Sequence, residues 1–428
     1  MTSERRFEQD LPDLLAQLAL GPTPDYRDHI VQQTSRMRQR PVWTFPERWL
    51  PMSAVTSRAA AAPRIPWRVV GLAALLLIGL AVGTLLLVGS QPRVPAPFGR
   101  AANGLVAYVA SGDIYTADPT AGVGTAVVTG PETDLAPVWS RDGTHFVFER
   151  KVGDVSSDGR LFVARANGRD LVAITPKPQS QLRDYAFSPN GRDVVFTSGP
   201  EGSSQLWLAK TDGSGVRQLD VGMGVSGPVY RPEDGHEIVF TATSPIGVRN
   251  GIYAVDVTTD MVRPIVMPSA SVGRGWVRIS PDGSRIAYVA STADPARNTY
   301  QVHVASADGA TDVTLPMPEG ATFQDAPEWS NDGTRLVLVR GYAAWNQDMV
   351  LAVVPADGSS VGVETKKGLT GCCDTTNEWA PDDSSILTTP TDLDGTFVLQ
   401  MLWDPTTGVT RQAPWLATSK PAWQRRAP

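Results

Sequence analysis

Cysteine is almost absent: 428 residues contain two, and they are adjacent, Cys372 and Cys373. A disulfide framework is therefore excluded. Histidine is nearly as scarce, four residues scattered along the chain, so no ligand spacing for a metal emerges. A strong charge of one sign is also lacking. Lys+Arg number 38 against 44 Asp+Glu, a net charge of −6, which argues against a nucleic-acid surface. The one Gly-x-Ser-x-Gly string, Gly358-Ser-Ser360-Val-Gly362, starts in the Gly turn that follows a repeat's third strand. It does not read as the strand-to-helix nucleophile elbow of an α/β-hydrolase, and no residues are left over to build that separate domain. A partial copy, Gly224-Val-Ser-Gly227, reads as a loop between structural units. On these absences the chain is expected to be no enzyme and to need no cofactor or metal.

One long hydrophobic run is present. Residues 69–88, VVGLAALLLIGLAVGTLLLV, form twenty positions without a charge. At ~1.5 Å rise per residue a helix of that length covers ~30 Å, the thickness of a hydrocarbon core. More than sixty residues precede it, so a signal-anchor fits better than a cleaved signal peptide. Residues 1–68 hold ten Arg, no Lys and seven acids, while the remainder carries 28 basic and 37 acidic residues. The basic side stays inside, which predicts a single-pass cell-membrane protein with a cytoplasmic N-terminus and an extracytoplasmic C-terminal part.

The segment before the span reads as helical over residues 1–52, with one helix near Asp10 to Gly21 and a second capped by Asp25. Trp43, Phe45 and Trp49 with Arg40 and Arg48 suit a membrane interface, or pack on these helices as part of a linker. Residues 53–68 and 89–103 read as linkers. This layout resembles that of bacterial membrane-bound anti-sigma regulators, which implies a cytoplasmic partner for the helices. The zinc form of that family is excluded, because the segment offers His29 and no Cys.

The rest of the chain repeats. An aromatic or apolar residue followed by a turn occurs as Trp139-Ser-Arg-Asp142-Gly143, Phe187-Ser-Pro-Asn-Gly191, Tyr230-Arg-Pro-Glu-Asp-Gly235, Ile279-Ser-Pro281-Asp282-Gly283, Trp329-Ser-Asn-Asp332-Gly333 and Trp379-Ala-Pro-Asp-Asp383. A seventh aromatic, Trp423, stands near the end. The spacing averages about 47 residues, near that of a four-stranded propeller blade. Each turn leads into a strand such as His145-Phe-Val-Phe148, and a third and a short fourth strand follow. The Asp-Gly pairs supply the positive φ of tight hairpins, and with one Asp each they do not form calcium loops. The first unit, from Leu105, lacks an aromatic-turn strand, and Pro421-Ala-Trp423 supplies one with nothing after it. The C-terminal strand is therefore expected to complete the N-terminal blade.

These units resemble the TolB-like propeller repeat, a bacterial relative of the WD-repeat propellers. The Pro-x-Trp-Ser-x-Asp-Gly stretch at 137–143, its partial copy at 421–423 and the Ser-Pro-Asp-Gly at 280–283 carry the likeness. The expected fold is all-β: a seven-bladed propeller of four-stranded antiparallel blades over residues 104–428. It follows a transmembrane helix at 69–88 and a short α-helical segment.

The function expected is that of a binding module for an unknown protein or cell-envelope ligand, without nucleic acid, with a sensory or regulatory role as its extension. Loops at 243–251, 291–300 and 341–348 are the longest on one face, and Trp345 with Asn346 is a candidate ligand rim. Cys372 and Cys373 form either a vicinal disulfide or two free thiols. Adjacent Cα atoms ~3.8 Å apart are closer than a relaxed bridge allows. Two rival readings are a propeller enzyme whose charged residues converge on the channel mouth and the metal-free anti-sigma-type regulator.

Overall fold

The computed structural model describes residues 74–77, 98–153, 158–200, 202–232, 235–243, 250–267, 277–291, 300–342, 349–366, 372–391 and 399–427. The helical segment expected at 1–52, the linkers up to residue 97 and the 69–88 span lie outside them, apart from residues 74–77, which are helical with Leu75, Leu76 and Leu77 exposed. Among the described residues no helix is long and apolar enough to cross a membrane.

The repeat folds into seven antiparallel sheets built on four strands each. Blade 1 orders its strands as Ala422–Arg426, Ala102–Ala110, Asp113–Ala117 and Thr125–Val128. Its first strand follows blade 7 in the sequence and its other three open the repeat. The closure pairs Val106 with Trp423 and Ala107 with Ala422, then continues past a bulge to Asn103 with Arg425 and Ala102 with Arg426. Blades 2 to 7 begin with inner strands Asp134–Trp139, Tyr185–Phe187, Gly224–Tyr230, Arg278–Ile279, Phe323–Trp329 and Cys372–Trp379. Residues 224–227 therefore lie within a strand, not in an inter-blade loop. Gly and Pro imitate a turn there, but the strand absorbs them as a bulge between Ser226 and Val229, with Gly227 at φ 56°. Ala136 (φ 48°) and Ala326 (φ 49°) make the same bulge in blades 2 and 6.

Strand alternation explains the core. Phe146 and Phe148 point toward blade 1, while Val147 between them points toward blade 3. The buried apolar side chains described fall into seven clusters, one in each gap between neighbouring blades. The gap between blades 7 and 1 is filled like the others, by Leu387, Leu402 and Trp415 against Val106, Tyr108 and Trp423. The ring is thus closed by packing as well as by backbone pairing.

In blades 2, 3, 6 and 7 an inner-strand aromatic locks the blade to the one before it. The indole nitrogens of Trp139, Trp329 and Trp379 donate to the carbonyls of Ala422, Arg278 and Glu328 at 3.1, 3.1 and 3.2 Å. Tyr185 does the same with its hydroxyl, donating to Ala136 O at 2.6 Å. In blades 2, 5 and 6 the Ser after the aromatic or its equivalent Ile279 donates its hydroxyl to the turn carboxylate, Ser140 to Asp142 (2.6 Å), Ser280 to Asp282 (2.5 Å) and Ser330 to Asp332 (2.7 Å). Gly143, Gly283 and Gly333 follow at φ 67°, 71° and 69°. At Gly143 a side chain is excluded twice over, because a Cβ would stand 2.0 Å from the closing strand's Arg425 O.

Blade 7 replaces that glycine by Asp383, which takes the left-handed conformation (φ 62°) with a carboxylate added. The carboxylate accepts from Asn331 N (2.6 Å), Asn331 Nδ2 (2.9 Å), Asp332 N (2.9 Å) and Arg100 Nε (3.0 Å). It ties blade 6 to the segment that enters blade 1. Asp383→Gly relieves the backbone but loses these bonds, and Asp383→Ala loses both. We expect stability to fall in the order Asp, Asn, Gly, Ala at this position, with the Ala variant down by about 3 kcal/mol in denaturant unfolding. Removing residues 422–428 should abolish the single cooperative transition of the propeller, whereas Trp423→Ala should keep it at a cost of about 3 kcal/mol.

Candidate functional site

The seven inner strands surround an axial channel of about 460 Å³. Its chemistry follows from the register of the repeat. The residue preceding each aromatic, or its equivalent Ile279, faces the axis. In blades 1 to 4 these residues are Ala422, Val138, Ala186 and Val229; in blades 5 to 7 they are Arg278, Glu328 and Glu378. One half of the wall is apolar and the other is charged. Two residues beyond the aromatic, at the turn end, four blades place a proline, while blades 6, 1 and 2 place Asn331, Arg425 and Arg141. Asp184 and Lys420 line the wall on the opposite side of the tier that holds Val138 and Glu378.

The charges around the channel are only partly neutralised. Arg278 pairs with Glu328. Arg425 is buried and donates to Asn331 Oδ1 and to Gly99 O, both at 2.6 Å. Burial, reinforced by the nearby charge of Arg141, pushes Arg425 down to about 10. Arg141 is half-buried and has no hydrogen-bond or ion-pair partner among the described residues. Burial lowers its proton affinity, and the negative charge of Glu328 opposes that shift.

Glu378 holds the seam between blades 7 and 1. Its Oε1 accepts Trp423 N at 3.1 Å, while its Oε2 and the Trp423 indole nitrogen are both buried without a hydrogen-bond partner among the described residues. This is the seam where the indole-to-carbonyl bond of the other tryptophans is replaced by a carboxylate. Burial pushes the Glu378 carboxyl up to about 7, with Glu328 adding to the shift and Lys420 and the Trp423 N–H opposing it.

Trp139, Trp329, Trp379 and Trp423 stand at the inner-strand aromatic position, and Asp142, Gly143, Pro281, Asp282, Gly283, Asp332 and Gly333 form the turns below. Pro281 also lines the channel. Trp345 and Asn346 lie outside the described residues. Cys372 and Cys373 open the inner strand of blade 7, and the state of their thiols lies outside what is described. Among the described residues no three His, Cys, Asp or Glu side chains are grouped to hold a metal. Sequence reasoning passed over Arg141, Arg278, Glu328, Glu378, Lys420 and Arg425. The available signal was their fixed offset from the repeat aromatic.

Seven closed blades around a lined axis define a β-propeller of the TolB-like kind. Residues 159–396 match the family model described as the lipoprotein LpqB beta-propeller domain. The chain belongs to that family. No curated protein matches it. Among solved structures it is similar to TolB from Acinetobacter baumannii, at 15% identity and a TM-score of 0.46 over 62% of this chain and 62% of that one. It is also similar to an oligogalacturonate lyase from Vibrio parahaemolyticus, at 12% identity and TM-score 0.52, covering 74% of this chain and 85% of that one. A structure of prolyl endopeptidases matches at 13% identity and TM-score 0.54, covering 75% of this chain and 50% of theirs.

The last two matches correct one expectation. The expectation that the chain is no enzyme rests on the lack of a hydrolase domain to carry a nucleophile elbow and on scattered histidines. Propellers of this architecture include a lyase and peptidases, so the fold does not exclude catalysis. The channel, moreover, gathers charged side chains that no linear motif reveals.

The raised Glu378 carboxyl has a consequence for pH. A carboxyl whose affinity for its proton is higher folded than unfolded favours the folded state fully below its usual value near 4.5, and that contribution disappears as pH rises through about 7. The propeller should therefore lose stability between pH 5 and 8. Glu378→Gln should flatten that slope and be more stable than the parent by about 2 kcal/mol at pH 8. Thermal unfolding at pH 5, 6.5 and 8 measures both effects.

Proposed function

We propose that the chain is a membrane-anchored, extracytoplasmic propeller that binds a protein or envelope ligand at its axial channel. The anchor rests on the uncharged run at 69–88 and the basic bias before it. The envelope location draws support from the lipoprotein named in the family description. The binding role rests on one observation above all: a cavity of about 460 Å³ with an apolar wall facing a charged one. That combination of an apolar surface and few convergent polar groups suits a ligand pocket. A polar seam filled only for stability would pair its charges, and Arg141 has no ion-pair partner among the described residues.

Two measurements test this reading. In intact cells, added protease should reach the propeller without lysis; digestion only after lysis would overturn the topology. A photo-crosslinking residue at Ala186, on the channel wall, should give a discrete adduct in cells, and the same residue at Arg217, on the outer strand Val216–Leu219, should not. Adducts from Arg217 alone would move the binding surface to the outside of the ring.

A further inference from the structure

The geometry points to a carboxylate-binding subsite at the turn end of the channel, formed by Arg141 and Arg425 beside the apolar wall of blades 1 to 3. This assignment rests on the channel being the binding surface and adds the chemistry of what enters it. Three observations carry it. Arg141 has donors in a planar fork, lines the cavity and has no hydrogen-bond or ion-pair partner among the described residues. It follows Ser140 in a turn whose Gly143 abuts the Arg425 carbonyl, so two guanidinium side chains from residues 284 apart in sequence are brought to one side of the ring. The carboxylate that acts on Arg141 among the described residues, Glu328, is already held by Arg278.

Two like charges sharing a low-dielectric wall repel each other, and an anion between them removes the penalty. A guanidinium fork matches the two oxygens of a carboxylate. Ala422, Val138 and Ala186 on the adjoining wall offer nothing to a ligand's polar groups and a surface to its hydrocarbon. The ligand class is therefore a carboxylate on a small apolar stem. A peptide C-terminus and a free short-chain acid share that chemistry.

The test uses the full-length chain in detergent micelles, titrated by calorimetry with N-acetyl-dialanine and with hexanoate, each beside its carboxamide. Binding of either acid at 1:1 stoichiometry, with at least a tenfold loss for its amide, is expected; which acid binds more tightly identifies the source. Arg141→Gln should weaken acid binding at least tenfold. Glu328→Gln, which removes the competing negative charge, should strengthen it several-fold. Opposite signs for these two variants would not arise from general loss of structure, and the second variant stands as a test even if the first fails to fold. Equal binding of acid and amide, no binding of either acid, or Arg141→Gln binding as the parent does would overturn the assignment. A channel crosslink from Ala186 in cells, together with any of those outcomes, would leave the axial binding surface standing and remove only the carboxylate subsite.

Discussion

The ring depends on a pairing between the two ends of a long repeat. Val106 meets Trp423 and Ala107 meets Ala422, and through these few residues a linear series of sheets acquires a neighbour for its first and last members. An open series would leave the inner edge of the Ala102–Ala110 strand unpaired and half of the blade 7 core facing water. The side chains around the seam show how heavily it is built. Trp139 donates to Ala422 O, Gln424 donates to Gly143 O, and Arg425 reaches both Asn331 and Gly99. The closing strand is thus fastened to its own sheet, to blade 2 and to blade 6.

Closure also creates the channel and sets its asymmetry. Because seven inner strands stand in equivalent registers, one position per blade forms each tier, and any substitution there acts at the axis. The sequence uses this freedom unevenly. Prolines occupy the turn tier in four blades, where they stiffen the mouth without adding charge. The arginines fall together in blades 1 and 2, the two blades joined by the closing strand. Glu328 and Glu378 lie in neighbouring blades 6 and 7, and the charge of Glu328 acts both on Arg141 in blade 2 and on Glu378 beside it. Electrostatics that look scattered along the chain become concentrated at the axis.

This explains which parts could be read from the sequence. The blade repeat was legible because its marks are local: Trp139 to Gly143 is a hairpin signal complete in five residues. The closure was legible because the first and last units are each missing what the other has. Asp383 was legible only as a departure, since nothing in the string Trp379-Ala-Pro-Asp-Asp383 says that its carboxylate will accept from Asn331 and Arg100. The channel tiers were not legible as a site, because the position before the aromatic holds Val, Ala, Arg and Glu in different blades and so presents no motif. Arg141 and Arg425 acquire a joint role only when residues 284 apart are brought side by side. Gly224 to Gly227 misled for the opposite reason: local turn chemistry was present, and the sheet overrode it with a bulge.

The separation between Val106 and Trp423 also bears on biosynthesis. A nascent chain emerges from its N-terminus, and domains generally fold as they appear. Here the second to seventh blades can assemble in order behind the ribosome or translocon, yet the first sheet stays one strand short until the codons for Ala422–Arg426 have been read. A product cut short by a stalled ribosome would carry an open edge, a ready mark for a quality-control protease.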